Sequence, residues 1–303
     1  MTSSPRKILF SGASGLIGTS LVRAAQAERI HTVQLIRRKP AHPGEIAWDP
    51  RSEQPISDLA ALEGLDAAIH LSGANLAARR WNAARKREIV ESRVGSTRAL
   101  VKVLKALKQP PATLLCASAT GIYGDRGDEV LTEESSPGQG FLPETCRAWE
   151  AEAAAAGEAG IRIVHLRFGV VMAAEDGALK QMLPVFRLGL GGNLGSGRQW
   201  MSWIALRDLV RAVFHILESS SVRGPVNFVA PNPVTNAEFT RVFGHVLHRP
   251  AILPAPQFAL RMAFGEMADA ALLASTRGVP DRLLKAGFSF EFPDLESALK
   301  AIV

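Results

Sequence analysis

Short apolar runs separated by stretches of helical spacing divide the first half of the chain. "KILFSG" is followed by a glycine-rich turn and a helical pattern from about Leu16 to Ala27, then "TVQLI" and "DAAIHLSG" as further strands. A long helix is predicted from about Asn82 to Leu107, then "TLLCASATG" as a strand. "PETCRAWEAEAAAAGEAG" is helical by composition, with Pro143 near its start and Gly160 as a stop, and "IRIVHLRFGVVM" is the next strand. Strands alternating with helices of these lengths predict βαβ units and a doubly wound parallel sheet with helices on both faces, in the α/β class.

The pattern changes after about Val171. Glycines punctuate "RLGLGGNLGSGRQW", "IALRDLVRAVFHIL" is amphipathic and helical, and "PVNFVAP" reads as one more strand. From Asn236 onward helical patterns dominate, with proline-rich joints at "RPAILPAPQ". The expected organisation is a nucleotide-binding domain over 1–230 and a smaller, mainly helical C-terminal domain over 231–303. Residues 171–205 are expected to contribute to a substrate pocket.

The strongest local signal is "FSGASGLIG", which sets Gly12, Gly15 and Gly18 three residues apart between a strand and a helix. Glycines there permit a tight turn, close approach of backbone to a pyrophosphate, and close helix–strand packing. The helix start offers free N–H groups and the positive end of its dipole to phosphate. Gly12, Ser14, Gly15, Leu16, Ile17 and Gly18 are therefore candidate cofactor contacts. The second strand ends in "QLIRRKP", where an NAD-preferring fold carries an acid about 20 positions beyond the glycines. This chain has Arg37 and Arg38 and no acid in that stretch. Guanidinium groups suit the 2′-phosphate of NADP(H).

Composition narrows the class. Of 303 residues, 47% are hydrophobic and 21% charged, ordinary for a soluble enzyme. No apolar run approaches the length of a membrane span, and "MTSSPRKILFSG" enters a strand with no secretory pattern. Two cysteines, Cys116 and Cys146, suit a reducing compartment, so a cytoplasmic protein is expected. The net charge of +6 is spread too thinly for a nucleic-acid binder. No metal site is expected.

Together these features resemble the extended short-chain dehydrogenase/reductases, in their atypical "epimerase family" branch. "SGASGLIG", "WDP", "HLSGANLAARRWNAARKREIVESRVGSTRALV", "ASATGIYG", "LRFGVVM" and "LGSGRQWMSWIALRDLVRA" carry the resemblance. So does the tail "GEMADAALLASTRGVPDRLLKAGFSFEFPDLESALKAI", similar to that branch's small C-terminal domain of unknown function. The resemblance implies a Rossmann domain followed by a smaller C-terminal domain, with NADP(H) as cofactor, and leaves the substrate unnamed. By position, Leu71, Ser72 and Gly73 should border the adenosine and its ribose, and Glu88 is a further candidate contact.

Arg93 stands apart from that transfer. Ile89, Thr97, Leu100, Leu104 and Leu107 form a helical stripe with Arg93 inside it. An arginine on a largely buried face needs an anion, which a cofactor phosphate or an internal carboxylate such as Asp66 could supply.

The resembled superfamily exchanges a proton through a tyrosine aided by a lysine four residues later, with a Ser or Thr polarising the reacting oxygen. Ser118 and Thr120 are available for the last role. At the tyrosine and lysine positions stand Cys146 and Glu150, and Tyr123 is the only tyrosine in the chain. A carboxylate one turn from a thiol raises the thiol pKa, the reverse of what a lysine does for a phenol. Two readings of Cys146 and Glu150 remain: a buried cysteine with a surface glutamate, or a replacement proton donor with a ribose contact. Trp81, Arg198, Trp200 and Trp203 are candidate pocket residues. The expected function is an NADP(H)-dependent oxidoreductase or sugar-nucleotide-epimerase-like enzyme acting on a small molecule, possible as a homodimer. The alternative is an NADP(H)-binding regulatory protein, for example in cell division.

Overall fold

The computed structural model describes residues 7–303. The reading of the N-terminus as leaderless falls partly on residues 1–6, outside the described residues. Strands β1 (Lys7–Ser11), β2 (His31–Ile36), β3 (Glu45–Ala47), β4 (Ala67–His70) and β5 (Thr113–Ala119) come first. They are followed by β6 (Val130–Leu131), β7 (Arg162–Phe168), β8 (Val170–Met172), β9 (Trp200–Met201), β10 (Trp203–Ala205), β11 (Gly224–Phe228), β12 (Val234–Thr235) and β13 (Arg277–Gly278). Seven of them form one parallel sheet in the order β11-β7-β5-β4-β1-β2-β3. The strand order turns back between β1 and β4, and it is outside the C-terminal ends of such strands that open α/β sheets bind ligands.

The alternation of side chains along each strand builds two cores. Leu9, Val33, Leu35 and Ala68 face α3 (Ser96–Lys105) and α4 (Phe141–Ala154). Ile8, Phe10, Ile69 and Leu115 face α1 (Leu16–Ala27) and α6 (Leu206–Glu218). The sheet is thus covered on both faces, which is why its central strands read as continuous apolar runs. No helix among the described residues is long and apolar enough to cross a membrane.

Two expected elements are divided. "IRIVHLRFGVVM" breaks at Gly169, where a Cβ would lie 2.6 Å from the Ser202 carbonyl oxygen. The chain leaves the main sheet there, and β8 pairs with β10 instead. The helix expected over 82–107 contains a five-residue π-helical turn, Glu91–Gly95, between α2 (Ala83–Val90) and α3. Such turns concentrate at functional sites, and this one carries Arg93.

A third core, around Met172, Leu183, Phe186, Trp203, Phe239, Phe243 and Leu299, joins α5 (Gly177–Arg187), α7 (Asn236–Val246) and α10 (Leu295–Ile302). It anchors the later part of the chain beside the sheet. The segment Ala268–Leu272, a second π-helical turn, then comes to face the ends of β1, β4 and β5.

Candidate active site

A cavity of about 560 Å³ opens at the C-terminal ends of β1, β4 and β5, within the usual range for ligand sites. Gly12, Gly15, Leu16, Ile17, Gly18, Leu71, Gly73, Arg93, Ser118, Thr120 and Cys146 all line it. Ser14, Ser72, Arg37, Arg38, Glu88 and Glu150 do not.

The glycine loop is built for close approach. Gly12 has φ +74°, and a Cβ on it would sit 2.7 Å from the Leu71 carbonyl carbon. A Cβ on Gly18 would sit 2.2 Å from the Gly12 carbonyl oxygen. Any side chain at either position would push the loop away from β4 or from its own helix. Gly15 caps α1 with no side chain bonded to the first-turn N–H groups, so those donors remain for an anion. Ser14 is exposed, and the Ser72 hydroxyl turns inward to Ser11 at 3.2 Å.

Arg93 reaches the cavity from the π-helical turn. Its guanidinium donates to the Ala74 carbonyl at 3.0 Å and the Ile89 carbonyl at 3.2 Å, and lies 5.3 Å over the Trp149 ring. Gly73 leaves it room, since a Cβ there would be 3.2 Å from Arg93 Cζ. Burial pushes the Arg93 pKa down, and no carboxylate pairs with it among the described residues. Asp66 lies at the opposite end of β4, where it accepts from the Lys7 backbone at 2.8 Å, so the internal salt bridge to Asp66 is not formed.

The two arginines after β2 have different surroundings. Arg38 is committed to Glu45 of β3 through two hydrogen bonds, 2.5 and 3.0 Å long. That carboxylate also accepts from Ala41 and His42, and its pKa falls to about 2, led by the Arg38 hydrogen bond. The end of β2, about 20 positions beyond Gly18, holds no acid, but the strand that follows brings one alongside. Arg37 is exposed and has no partner among the described residues.

Asn82 caps α2, so Glu88 lies within the helix, where it pairs with Arg85 at 2.7 Å. It faces a separate surface hollow with Arg51, Lys86, Arg87 and Phe141.

Around Ser118 the structure shows a buried polar network. Ser118 Oγ donates to Glu150 Oε1 at 2.7 Å. The Glu150 carboxylate is gripped bidentately by Arg167 of β7, at 2.8 and 2.9 Å. Burial alone would raise the Glu150 pKa, but the Arg167 hydrogen bonds and charge outweigh it and hold it below the usual value. Glu150 is therefore buried behind Ser118, not on the helix surface. Arg167 also donates to the Tyr123 hydroxyl at 3.0 Å, and Tyr123 in turn reaches Asn227 Oδ1 at 2.7 Å. The tyrosine is wholly enclosed and away from the cavity.

Cys146 lines the cavity one turn before Glu150. Burial first, then the Glu150 charge, push its pKa up to about 12, so the thiol stays protonated. Thr120 also faces the cavity, and its hydroxyl has no protein partner among the described residues.

Arg167 is the functional residue that pattern reading missed. A signal existed: an arginine inside a strand expected to be buried on both faces demands an anion nearby. Of the four residues expected around the pocket, only Trp200 lines it. Trp203 is fully buried in the third core, Trp81 packs edge-on against Phe141, and Arg198 is exposed.

Comparison with known proteins gives the same architecture. Residues 8–229 match the NAD dependent epimerase/dehydratase family, and residues 255–302 match a domain of unknown function, DUF1731. An epimerase family protein of Mycobacterium tuberculosis, MT2273, is 42% identical over 292 residues, 96% of each chain. The crystal structure of human epimerase family protein SDR39U1, solved with NADPH, superimposes with a TM-score of 0.89 at 35% identity, covering 98% of both chains. A nucleoside-diphosphate sugar epimerase from Corynebacterium glutamicum gives a TM-score of 0.81 at 35% identity, covering 99% of this chain and 58% of that one.

Proposed function

This chain belongs to the NAD dependent epimerase/dehydratase family, and on that premise we propose that its cleft binds NADP(H) and carries hydride transfer with a small molecule. The observation that carries the reading is one continuous cavity joining the glycine loop to Ser118 and Thr120. The residues present fit the cofactor. Gly12 and Gly18 keep open a cradle that a Cβ would close, the first turn of α1 has free donors, and Arg93 is a half-buried cation with no carboxylate partner among the described residues. Of the two arginines after β2, Arg37 is the one without a partner among the described residues, which suits it to a 2′-phosphate, and the human relative's structure contains NADPH.

When bound, the nicotinamide would supply or accept the hydride. The chain's own contribution is to hold the reacting oxygen. Thr120 is the hydroxyl free to donate to it, because the Ser118 proton is already given to Glu150. Ser118 then serves as an acceptor that orients a substrate hydroxyl. With a thiol pKa near 12, Cys146 is no general base, and Glu150, locked by Arg167, is no substitute for a lysine. The test is NADPH oxidation, followed by absorbance, against a panel of carbonyl compounds. Thr120→Val should lower the rate by about 10²–10⁴-fold, and a Thr120→Val enzyme of parental rate would remove that role.

A non-catalytic NADP(H)-binding role has one specific observation behind it: the positions where the superfamily carries Tyr and Lys hold an inert thiol and a neutralised carboxylate. Tight NADPH binding by calorimetry, with no turnover on any carbonyl in the panel, would favour it.

A further inference from the structure

The cavity has two chemically distinct parts. One is the glycine loop with Arg93. The other is walled by Leu142, Phe168, Met182, Trp200, Met201 and Leu272, brought from α4, β7, α5, β9 and the Ala268–Leu272 turn. Among the described residues Arg93 is the only charged side chain lining the cavity, and it lies beside Gly73 on the loop side. Arg277 stacks over the Trp200 ring at 4.1 Å without lining the space.

The polar side chains on the second wall are nearly all occupied within the protein. Thr145 donates to the Phe141 carbonyl at 2.7 Å, and Ser202 to the Thr276 carbonyl at 2.8 Å. Thr276 donates to the Gly124 carbonyl at 3.4 Å, and Asn236 Oδ1 accepts from the Leu194 amide at 2.8 Å. Ser118 is bound to Glu150. Among the described residues Thr120 alone presents an uncommitted hydroxyl, and the other spare side-chain donors are the unpartnered Trp149 indole N–H and the Asn236 amide, which has only Met201 Sδ at 3.6 Å. A sugar nucleotide would bring two phosphate charges and several hydroxyls to a wall without cations and with few free donors. Each hydroxyl left unpaired on burial costs roughly 5- to 150-fold in affinity, and an unpaired charge costs more.

We infer that this half of the cavity takes a neutral, largely apolar molecule carrying a single hydrogen-bonding oxygen, such as a ketone on an alicyclic or aromatic frame, and does not take a nucleoside-diphosphate sugar. The inference rests on the cofactor reading above, which assigns the loop half to NADP(H). Thr120 anchors the one oxygen, and the aromatic and aliphatic wall supplies affinity in proportion to the apolar surface covered.

Calorimetry on the full-length protein tests both claims separately. NADP⁺ is titrated first, and then the saturated protein is titrated with 4-alkylcyclohexanones from methyl to pentyl and with UDP-glucose. NADP⁺ allows binding without reduction of the ketone. Affinity should rise roughly fourfold per added methylene, and UDP-glucose should bind at least a hundredfold more weakly than the pentyl compound. UDP-glucose binding tighter than every ketone, or no gain along the series, overturns the inference while leaving the cofactor reading intact. Failure of NADP⁺ to bind, with the ketone increment preserved, sinks the cofactor reading and keeps the apolar half. Leu272→Glu should cut ketone binding more than tenfold and leave NADP⁺ affinity within twofold, and Leu272→Met should leave both unchanged. Ketone binding retained in Leu272→Glu would place the ligand elsewhere and overturn the inference.

Discussion

Replacing Arg167 with Met tests whether the Ser118–Glu150 arrangement depends on the guanidinium behind it. The side chains of Arg167 and Glu150 are 7% and 13% exposed, so the substitution strands a carboxylate in the interior with Ser118 as its remaining side-chain donor. Removing one partner of a buried pair costs about 3–5 kcal/mol, which in a chain of this size lowers Tm by roughly 5–15 °C. The pH dependence gives the sharper signature. In the parent, the Glu150 pKa is held below 4.5. Its stabilisation is therefore complete above that value and lost as pH falls through the folded-state pKa. In Arg167→Met, burial is opposed only by His165 and the Ser118 hydrogen bond, and it lifts the folded pKa above the unfolded one. The deficit should then be small in acid and grow as pH rises through the raised pKa. Urea unfolding followed by circular dichroism at pH 5 and pH 8, for parent and variant, reads both quantities. The double substitution Arg167→Met, Glu150→Gln should recover most of the loss at pH 8. A single-variant cost under about 1 kcal/mol at pH 8, or an equal cost at both pH values, would refute the pairing argument.

Arg93→Met should weaken NADPH binding roughly 10- to 150-fold, as expected for a lost charged hydrogen bond, with little change in melting because the cation removed has no carboxylate to strand. Arg37→Ala should reduce the preference for NADPH over NADH by a similar factor in calorimetric titrations, and Arg38→Ala by much less, because Arg38 is held by Glu45. Gly12→Ala should lose at least the ~1–2 kcal/mol of a left-handed backbone, and bind NADPH poorly as the loop shifts from Leu71. Cys146, with a pKa near 12, should resist iodoacetamide at pH 8 when followed by mass spectrometry. Cys146→Ala should keep any turnover within a few-fold of the parent.

The sheet and the glycine loop were legible because each rests on a local pattern. Six of the seven sheet strands carry apolar runs, the short edge strand β3 being the exception, and Gly12 and Gly18 sit where a Cβ meets backbone, so composition and spacing report them directly. Arg93 was legible for the same reason, as a charge inside an apolar stripe. What escaped depends on residues far apart in sequence. Glu45 meets Arg38 only because β3 adds beside β2. Glu150 meets Arg167 only because α4 packs across β5 and β7, which turns a glutamate that reads as surface into a buried anion.

The same long-range placement changes what the site can do. A carboxylate at position 150 would by itself repel electron density at the reacting oxygen and argue against hydride chemistry. Arg167, arriving from β7, cancels that charge and fixes the carboxylate, which in turn accepts the Ser118 hydroxyl's hydrogen bond and leaves that hydroxyl without a donor for the cavity. The cavity is left with Thr120 as its single free hydroxyl, a protonated thiol, and a wall of aliphatic and aromatic side chains. Such a site recognises little beyond shape and one oxygen. Its selectivity must therefore come from the apolar wall, to which Met182, Trp200, Met201 and Leu272 are supplied from beyond Val171, where the sequence pattern departs from the nucleotide-binding half of the chain.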